Sequence, residues 1–247
     1  MYTSISGQVA VTRQMELIAN NLANLATAGY KAERPLFEKT LSQQDQLLSS
    51  SLRKDIAAPN PHATESFVQL KGSFSDMAQG PIEITNNPLD VAIDGPGFFV
   101  VQTPQGERYT RSGNFRLDGQ HRLVTQDGNP IQGSGGDITI QGAKISVATS
   151  GEIVVDGKSV GSLRLVTFDP AQAKREPGQL FSVTGGASDV VSPKVQGSAL
   201  EGSNVNAVRE LTDMIMASRL YESFKNVDEA TSRMNQARNE KLGTTQG

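Results

Sequence analysis

The chain contains neither cysteine nor tryptophan, and only 2 of its 247 residues are histidine. The lack of cysteine excludes thiol nucleophiles, thiolate metal ligands and disulfide bonds. Two histidines leave metal sites of the histidine-rich kind short of ligands. The composition therefore argues against enzyme classes that depend on a thiol or on a histidine-bound metal.

An excess of charge of one sign is also missing. The chain has 23 Lys and Arg against 26 Asp and Glu, a formal net charge of -3. Nucleic-acid binding favours a basic face, whereas a nearly neutral chain gives little repulsion between copies of itself. No apolar run is long enough to span a bilayer, and the first 24 residues lack the features of a secretory signal peptide. If the protein leaves the cytosol, we expect a route without a cleaved signal peptide.

The residues that could act as acids or bases are isolated from one another. His62 lies in the proline-rich stretch 57–62, and His121 lies at the tip of a predicted hairpin. Both positions are more typical of a solvated loop than of a catalytic base. Asp90 and Asp94 could pair as acid and base, but alternation along a strand explains them equally well.

Two glycine-rich stretches are weak candidates for binding sites. Gly95–Gly97 is followed by apolar residues and lacks the lysine of a phosphate-binding loop. The stretch 133–137 resembles a calcium-binding turn, but it occurs once and is also an ordinary β-turn sequence. We therefore predict no catalytic residue, no metal and no cofactor.

Residues 5–28 have a helical pattern. Apolar residues recur at alternating spacings of four and three, a heptad-like seam made of Val11, Met15, Ile18, Leu22 and Leu25. Gly29 is predicted to end this helix after Ala28, with Tyr30 packing back on Leu25 as in a Schellman motif.

The opposite face of this helix is polar but almost uncharged. Only Arg13 and Glu16 carry charge, and Asn20, Asn21 and Asn24 form a cluster. Amides can hydrogen-bond when buried, whereas charges are costly to bury, so this face suits packing against further helices. A core helix of a monomer with a polar edge is the alternative.

The middle of the chain has the pattern of β-structure. Residues 42–66 are rich in Gln, Ser, Ala and Pro, and the segment 36–66 is predicted to be a linker or a segment that orders on assembly. Residues 67–200 contain short alternating or apolar runs separated by glycine turns. Phe98–Val101 is predicted to be a strand buried on both faces, and Asp118–Gln120 a hairpin turn.

A second helix is predicted from the N-cap residues Ser203 and Asn204 to about Lys241. Its apolar residues form two stripes with a phase shift between them. The first stripe is Val205, Val208, Leu211 and Ile215, and the second is Leu220, Phe224, Val227, Thr231 and Met234.

These patterns predict an α+β chain with helical ends and a central antiparallel β domain, sandwich- or barrel-like. The expected boundaries are residues 1–35 for the first helix, 36–66 for the linker, 67–200 for the β domain and 201–247 for the second helix.

Motifs at both ends and in the centre resemble those of flagellar basal-body rod proteins. Near the N-terminus these motifs are Ala19–Asn24 and Thr27–Lys31, and near the C-terminus they are Leu200–Asn206 and Glu210–Ile215. In the middle, Pro88–Ile93, Gly97–Val101 and Tyr109–Phe115 resemble strands of the same family. The resemblance extends over nearly the whole chain.

The resemblance implies a structural role. Subunits of this family polymerise into the periplasmic rod, a drive shaft that transmits motor torque, and their terminal helices pack as a coiled coil around its core. The implied partners are proximal and distal rod subunits, copies of the chain itself and the flagellar type III export apparatus. The assembly interface is then expected to include Val11, Met15, Ile18, Asn20, Asn21, Leu22, Asn24, Leu25, Gly29, Val205, Val208, Leu211, Ile215, Leu220, Phe224 and Val227.

Within the family, the chain length and the form of the stretch 201–205 are most similar to the proximal rod subunit. A distal rod or hook-type axial subunit is the alternative. Outside the family, a secreted β module that binds glycan or cell wall would need exposed aromatic residues, and the chain has only 4 Tyr and no Trp. A peptidoglycan hydrolase would need a catalytic constellation, which we do not find in the sequence.

Overall fold

The structure is a computed structural model that describes the backbone of residues 2–41 and 66–243, and the side chains of residues 6–36 and 72–237. Helix α1 spans Tyr2–Ala23, and helix α2 spans Ala207–Gly243. Nineteen described β-strands lie between them in the sequence. The fold class is therefore α+β, as the sequence predicted. Neither described helix is long and apolar enough to cross a membrane.

The contacts divide the chain into two compact units. Unit 1 comprises Met1–Asn20, Arg34–Ser73 and Val208–Gly247, and unit 2 comprises Asn21–Glu33 and Phe74–Ala207.

In unit 1 the two helices contact each other. The Gln8 side-chain amide donates to Asp228 Oδ2 at 2.6 Å, and the Ser218 hydroxyl lies 3.8 Å from the Met15 sulfur. A Cβ atom at Gly7 would lie 2.7 Å from the Phe224 ring. Because residue numbers rise along α1 as they fall along α2, the helices run antiparallel.

Strands β1 (Glu33–Leu41) and β2 (Ser66–Ser75) form a two-stranded sheet, and residues 34–41 and 66–73 of it belong to unit 1. These strands overlap both ends of the predicted linker. The rest of that segment, residues 42–65 with His62, lies outside the described residues.

Unit 2 contains the remaining strands and two 3-10 turns, Pro170–Gln172 and Pro177–Gln179. The strands are β3 (Ile82–Ile84), β4 (Val91–Ile93), β5 (Phe98–Thr103), β6 (Gly106–Thr110), β7 (Arg116–Leu117), β8 (Leu123–Val124), β9 (Gln132–Gly133), β10 (Gly136–Asp137), β11 (Ile145–Val147), β12 (Glu152–Val155), β13 (Lys158–Ser162), β14 (Leu165–Thr167), β15 (Ala173–Glu176), β16 (Leu180–Val183), β17 (Ser188–Asp189), β18 (Val195–Gly197) and β19 (Ala199–Glu201).

The main sheet of unit 2 has six strands in the order β15-β16-β6-β5-β14-β17. A three-stranded sheet, β11-β12-β13, and the pairs β4-β18, β3-β19, β7-β8 and β9-β10 complete the unit. All of these pairings are antiparallel. The predicted hairpin at Asp118–Gln120 is confirmed, because it joins β7 to β8.

Strand β5 lies at the centre of the core, as its apolar run predicted. Phe99 and Val101 point into the larger hydrophobic cluster, whereas Phe98 and Val100 point into a second cluster on the opposite face. Side chains alternate between the two faces of a strand, so a continuous apolar run marks a strand that is covered on both sides.

The helix limits differ from the predicted ones at two places. Helix α1 ends at Ala23 rather than Ala28, and residues 24–29 form turns. Helix α2 begins at Ala207, so Val205 precedes the helix that was predicted to contain it. Both differences arise because polar side chains near the helix ends bond to other segments of the chain.

Candidate functional site

The turn after α1 is closed by one buried amide. Asn21 Oδ1 accepts hydrogen bonds from the Tyr30 hydroxyl at 3.2 Å and from the Glu33 backbone N–H at 2.9 Å, and Asn21 Nδ2 donates to the Glu33 carbonyl at 2.9 Å. The side chain is only 1% exposed. An amide supplies both donor and acceptor here, which a carboxylate of the same shape would not. Asn21 thus fixes the chain reversal between residues 23 and 33.

Gly29 allows this turn to approach the β-strands closely. Its φ is 70°, and a Cβ atom there would clash with the backbone of Arg111 and Ser112. Its N–H donates to the Glu201 carbonyl at 2.7 Å. Because only glycine combines a left-handed backbone with this close approach, the predicted importance of Gly29 has a physical basis within one chain.

A buried cluster of three charged side chains lies beside Gly29. Glu201 accepts a hydrogen bond from Lys31 Nζ at 2.7 Å and another from Arg111 Nε at 2.5 Å. The Gly80 backbone N–H also donates to Glu201 Oε1, at 2.9 Å. The side chains of Lys31 and Glu201 are 1% and 0% exposed. We call Lys31, Arg111 and Glu201 the ionic cluster.

The ionic cluster holds two cations against one carboxylate. Backbone carbonyls accept further hydrogen bonds from both cations: Lys31 donates to Ala78 O at 2.6 Å, and Arg111 donates to the carbonyls of Gly95, Gly97 and Ile93. Burial lowers the pKa of the Lys31 ammonium below its ordinary value, although the hydrogen bond and charge of Glu201 oppose that shift. The carboxylate is therefore the group on which both cations depend.

Asn204 makes a second connection between the two end motifs. Its Oδ1 accepts from the Ala32 N–H at 2.7 Å, and its Nδ2 donates to the carbonyls of Asp76 and Ala78 at 2.8 and 3.0 Å. The sequence assigned Asn204 to a helix N-cap, but its side chain bonds to other parts of unit 2 instead. This use of its side chain accounts for the later start of α2.

Arg175 covers the same region from strand β15. Its guanidinium lies 4.1 Å from the centre of the Tyr30 ring and donates to the Lys31 carbonyl at 2.7 Å. Its Nε lies 3.4 Å from Glu33 Oε1. Tyr30 therefore packs under Arg175, and Leu25, on which the sequence predicted it to pack, is 36% exposed.

These contacts form a structural anchor. They tie the segment after α1 and the segment before α2 to the strands of unit 2, and most of the groups involved are buried and hydrogen-bonded. His121 is exposed in a turn with a φ of 60°. Among the described residues, no group of three or more His, Asp or Glu side chains could hold a metal ion.

The structure places the predicted interface residues of α1 in different environments. Val11, Ile18 and Asn21 are buried, Met15, Leu22 and Asn24 are half-buried, and Asn20 and Leu25 are exposed. The asparagine cluster is thus divided: Asn21 serves the turn within the chain, while Asn20 faces outward.

Most of the predicted interface residues of α2 are exposed in the single chain. Ile215 is 55% exposed, and Val208, Leu211, Leu220 and Val227 are also exposed. Val205 and Phe224 are half-buried. The buried face of α2 carries Glu210 and Ala217 instead. Glu210 is paired with Arg34 at 2.5 Å.

Sequence analysis did not single out the ionic cluster, Arg175 or the Arg34–Glu210 pair. Lys31, Glu201 and Glu210 did lie inside the motifs that carried the resemblance. A charged residue within an otherwise apolar or small-residue motif was the available signal for a buried ion pair. Its partner could not be identified from the sequence, because the paired residues lie up to 176 positions apart.

Descriptions of known protein families match this chain at both ends and in the centre, where the resembling motifs lie. Three family descriptions match: "Flagella basal body rod protein" over residues 1–31, "Flagellar hook protein FlgE/F/G D1 domain" over residues 92–155, and "Flagellar basal body rod FlgEFG protein C-terminal" over residues 196–237. The ionic cluster draws one residue from each end match and one from the central match.

Several named proteins are similar over almost their whole length. The chain is 31% identical to the flagellar basal-body rod protein FlgF of Caulobacter vibrioides, with 98% of this chain and 97% of that protein covered. It is 32% identical to FlgG of the same organism, with 95% and 96% covered. It is 31% identical to FlgF of Salmonella typhimurium, with 96% of each chain covered.

Proposed function

This chain belongs to the flagellar basal-body rod protein family, and from that premise we propose that it is a structural subunit of the proximal rod. Its copies polymerise with other rod subunits into the shaft that transmits motor torque across the periplasm. The observation that supports this most is similarity over nearly the full length of several rod proteins, which covers both end motifs and the β unit.

The terminal helices form the coiled-coil core of the assembled rod. Two features support this part of the proposal. Within unit 1, α1 and α2 already contact each other through Gln8, Met15 and Gly7. On α2, large apolar side chains including Leu211 and Ile215 remain exposed. Their burial between copies would contribute about 25 cal/mol for each Å² of apolar surface removed from water.

The lack of cysteine makes the core testable by thiol labelling. In the variant Ile215→Cys, the introduced cysteine would be the only thiol of the protein. We expect it to react with a maleimide reagent in the isolated chain and to be protected in purified basal bodies. Val191→Cys, at a 98% exposed position of unit 2, is the matched variant that tests whether the reagent reaches the assembled rod. Labelling of residue 215 in basal bodies at the rate of the isolated chain would contradict the proposed core.

The proximal position is supported by the length and the form of stretch 201–205, whereas the identities to FlgF and FlgG are nearly equal. Complementation separates the two positions. Expressed in a strain that lacks its own proximal rod subunit, the chain should restore swimming; in a strain that lacks the distal rod subunit, it should not. The reverse result would assign it to the distal rod.

Export through the flagellar type III apparatus and a location in the periplasm-spanning rod complete the proposal. A tagged copy should be found in purified basal bodies from wild-type cells. In a strain without a functional export apparatus, the tagged chain should stay in the cytoplasm. Its appearance outside the cytoplasm in that strain would exclude this route.

A further inference from the structure

Unit 2 contains a small polar cavity that the anchor does not use. Its volume is about 180 Å³, and its lining includes Thr27 and Ala28 from the turn after α1 together with Ser112, Asp127 and Gln179. A cavity of this size holds several water molecules or one group of a few heavy atoms. We call it the Gln179 cavity.

Gln179, which lines this cavity, has a side-chain acceptor without a hydrogen-bond partner among the described residues. The side-chain oxygen of Gln179 is buried, and no described donor bonds to it. Buried polar atoms in native proteins almost always have a hydrogen-bond partner, because leaving one unsatisfied costs about 1–3 kcal/mol. An oxygen in this position therefore points to a donor from outside the chain.

The backbone that carries the Gln179 side chain is strained. Gly178 and Gln179 both have left-handed backbones, with φ of 73° and 59°. The Thr110 hydroxyl donates to the Gln179 carbonyl at 3.2 Å and so fixes the turn. Left-handed glutamine is unfavourable, and such strain persists only where surrounding contacts impose it.

The charge in the lining is negative. Asp127 is its only charged residue, and a Cβ atom at Gly178 would lie 2.5 Å from Asp127 Oδ2, so the carboxylate sits directly beside the strained turn. Among the described residues, no Lys, Arg or His pairs with Asp127; the nearby Arg116 donates instead to the Gln126 carbonyl at 3.3 Å. The hydroxyl of Ser112 is already used, because it donates to Asn114 Oδ1 at 2.6 Å.

We propose that the Gln179 cavity binds a guanidinium or ammonium group. Such a group supplies several N–H donors and a positive charge, which match the free amide oxygen and the carboxylate. It comes either from an arginine or lysine side chain of a neighbouring subunit or from a small free cation. The site itself does not depend on the proposed rod function; only the first of the two sources does.

Methylguanidinium is a suitable probe for the full-length chain. We expect a saturable shift of the Gln179 side-chain amide resonance as methylguanidinium is added, and no such shift with tetramethylammonium. Tetramethylammonium has the same charge but no N–H donor, so it separates hydrogen bonding from ionic strength. Equal responses to both cations, or no saturable response to methylguanidinium, would overturn the proposal.

Two variants remove the acceptors one at a time. Gln179→Gly deletes the amide and suits the left-handed backbone, so the fold should be retained. Asp127→Asn keeps the shape but removes the charge. With resonances of Ser112 and Thr125 as reporters, each variant should weaken methylguanidinium binding at least about tenfold, or about 1.4 kcal/mol. Glu83→Gln, which removes an exposed carboxylate outside the cavity, should bind like wild type. Unchanged binding in both cavity variants would also overturn the proposal.

Swimming of cells that carry the variants distinguishes the two sources. If a neighbouring subunit supplies the group, Gln179→Gly and Asp127→Asn should impair rod assembly while the isolated variants melt like wild type. If a free cation is the occupant, both variants should swim normally although methylguanidinium binding is lost. Each result supports the site and identifies its source.

Discussion

At the scale of single residues, Glu201 occupies a position on which two buried cations depend. Lys31 and Arg111 both donate to its carboxylate, and neither is exposed to water that could replace it. Removing one member of a buried ion pair costs much more than breaking an exposed pair, because the remaining charge loses its partner without regaining its hydration. The two kinds of member in this cluster should therefore respond differently to substitution.

We predict that Glu201→Gln lowers the free energy of unfolding by about 3–5 kcal/mol. Lys31→Met should cost less, because Glu201 keeps Arg111 and the Gly80 N–H, and methionine fills a similar volume. Arg164→Met is the control, since Arg164 forms partly exposed ion pairs with Glu107 and Asp189 and should contribute about 0–1 kcal/mol. Urea unfolding of the purified chains measures all three. A larger loss for Lys31→Met than for Glu201→Gln would contradict this account of the cluster.

The lowered pKa of Lys31 predicts a pH dependence on the alkaline side. Between the lowered folded-state pKa and the ordinary pKa of about 10.5, the unfolded chain binds more protons at Lys31 than the folded chain does. Stability contributed by this group therefore rises with pH in that window. Lys31→Met cannot titrate, so the stability of wild type relative to this variant should increase as the pH rises toward that upper limit. Comparing the two proteins cancels other alkaline effects, such as that of Tyr109, whose pKa is raised by burial. A constant or falling difference across the window would contradict the prediction.

At the scale of elements, α2 has two faces with different partners. The face that is buried in the chain carries Glu210 and Ala217, whereas Leu211 and Ile215 lie on the outside. The first apolar stripe of α2 therefore does not mark the face that is buried in the chain, whereas Phe224 of the second stripe lies against Gly7 of α1. A small residue permits close helix packing, and a paired glutamate can be buried, so neither stands out in a hydrophobic pattern.

We predict that charge has different effects on these two faces. Ile215→Asp should change the unfolding free energy of the isolated chain by no more than about 0.5 kcal/mol, because surface substitutions usually have small effects. It should nevertheless abolish swimming, since the carboxylate would be buried between copies in the rod. Ala217→Asp should destabilise unit 1 in the isolated chain, because Ala217 is only 3% exposed.

Thermal unfolding and swimming assays compare the two variants. Normal swimming of Ile215→Asp would show that this face of α2 is not an assembly surface. Ile215→Ser is the matched variant for the loss of the side chain without the addition of a charge.

Local patterns predicted the elements well, but not their ends. The apolar run at β5 and the hairpin turn at Asp118–Gln120 depend on neighbouring residues, so sequence was sufficient for both. The end of α1 depends on Asn21, whose side chain bonds to Tyr30 and Glu33 beyond the helix. The ionic cluster was not predictable from spacing, because 170 positions separate Lys31 from Glu201 and only the fold brings them together.

At the scale of the whole molecule, the boundaries of the units do not follow the boundaries of the sequence pattern. Sequence grouped residues 1–35 with the first helix, yet Asn21–Glu33 belongs by its contacts to unit 2. Gly29 and Ala32 donate to Glu201 and Asn204, and the Asp76 N–H donates to the Ala32 carbonyl at 2.8 Å. The segment after α1 is thus bonded to the β unit through Gly29, Lys31 and Ala32.

We therefore predict that the amides of Gly29 and Ala32 are protected from hydrogen exchange to nearly the same degree as the core amides of β5. Both N–H groups are buried and hydrogen-bonded within unit 2, so they should exchange only when that unit opens. Native-state exchange of the full chain, read by NMR, measures this directly. Glu201→Gln should reduce the protection of Gly29 and Ala32 more than that of Phe99, because the substitution acts first on the anchor. If Gly29 and Ala32 instead exchange orders of magnitude faster than Phe99 in wild type, the segment after α1 opens independently, and the anchor does not join it to the β unit in solution.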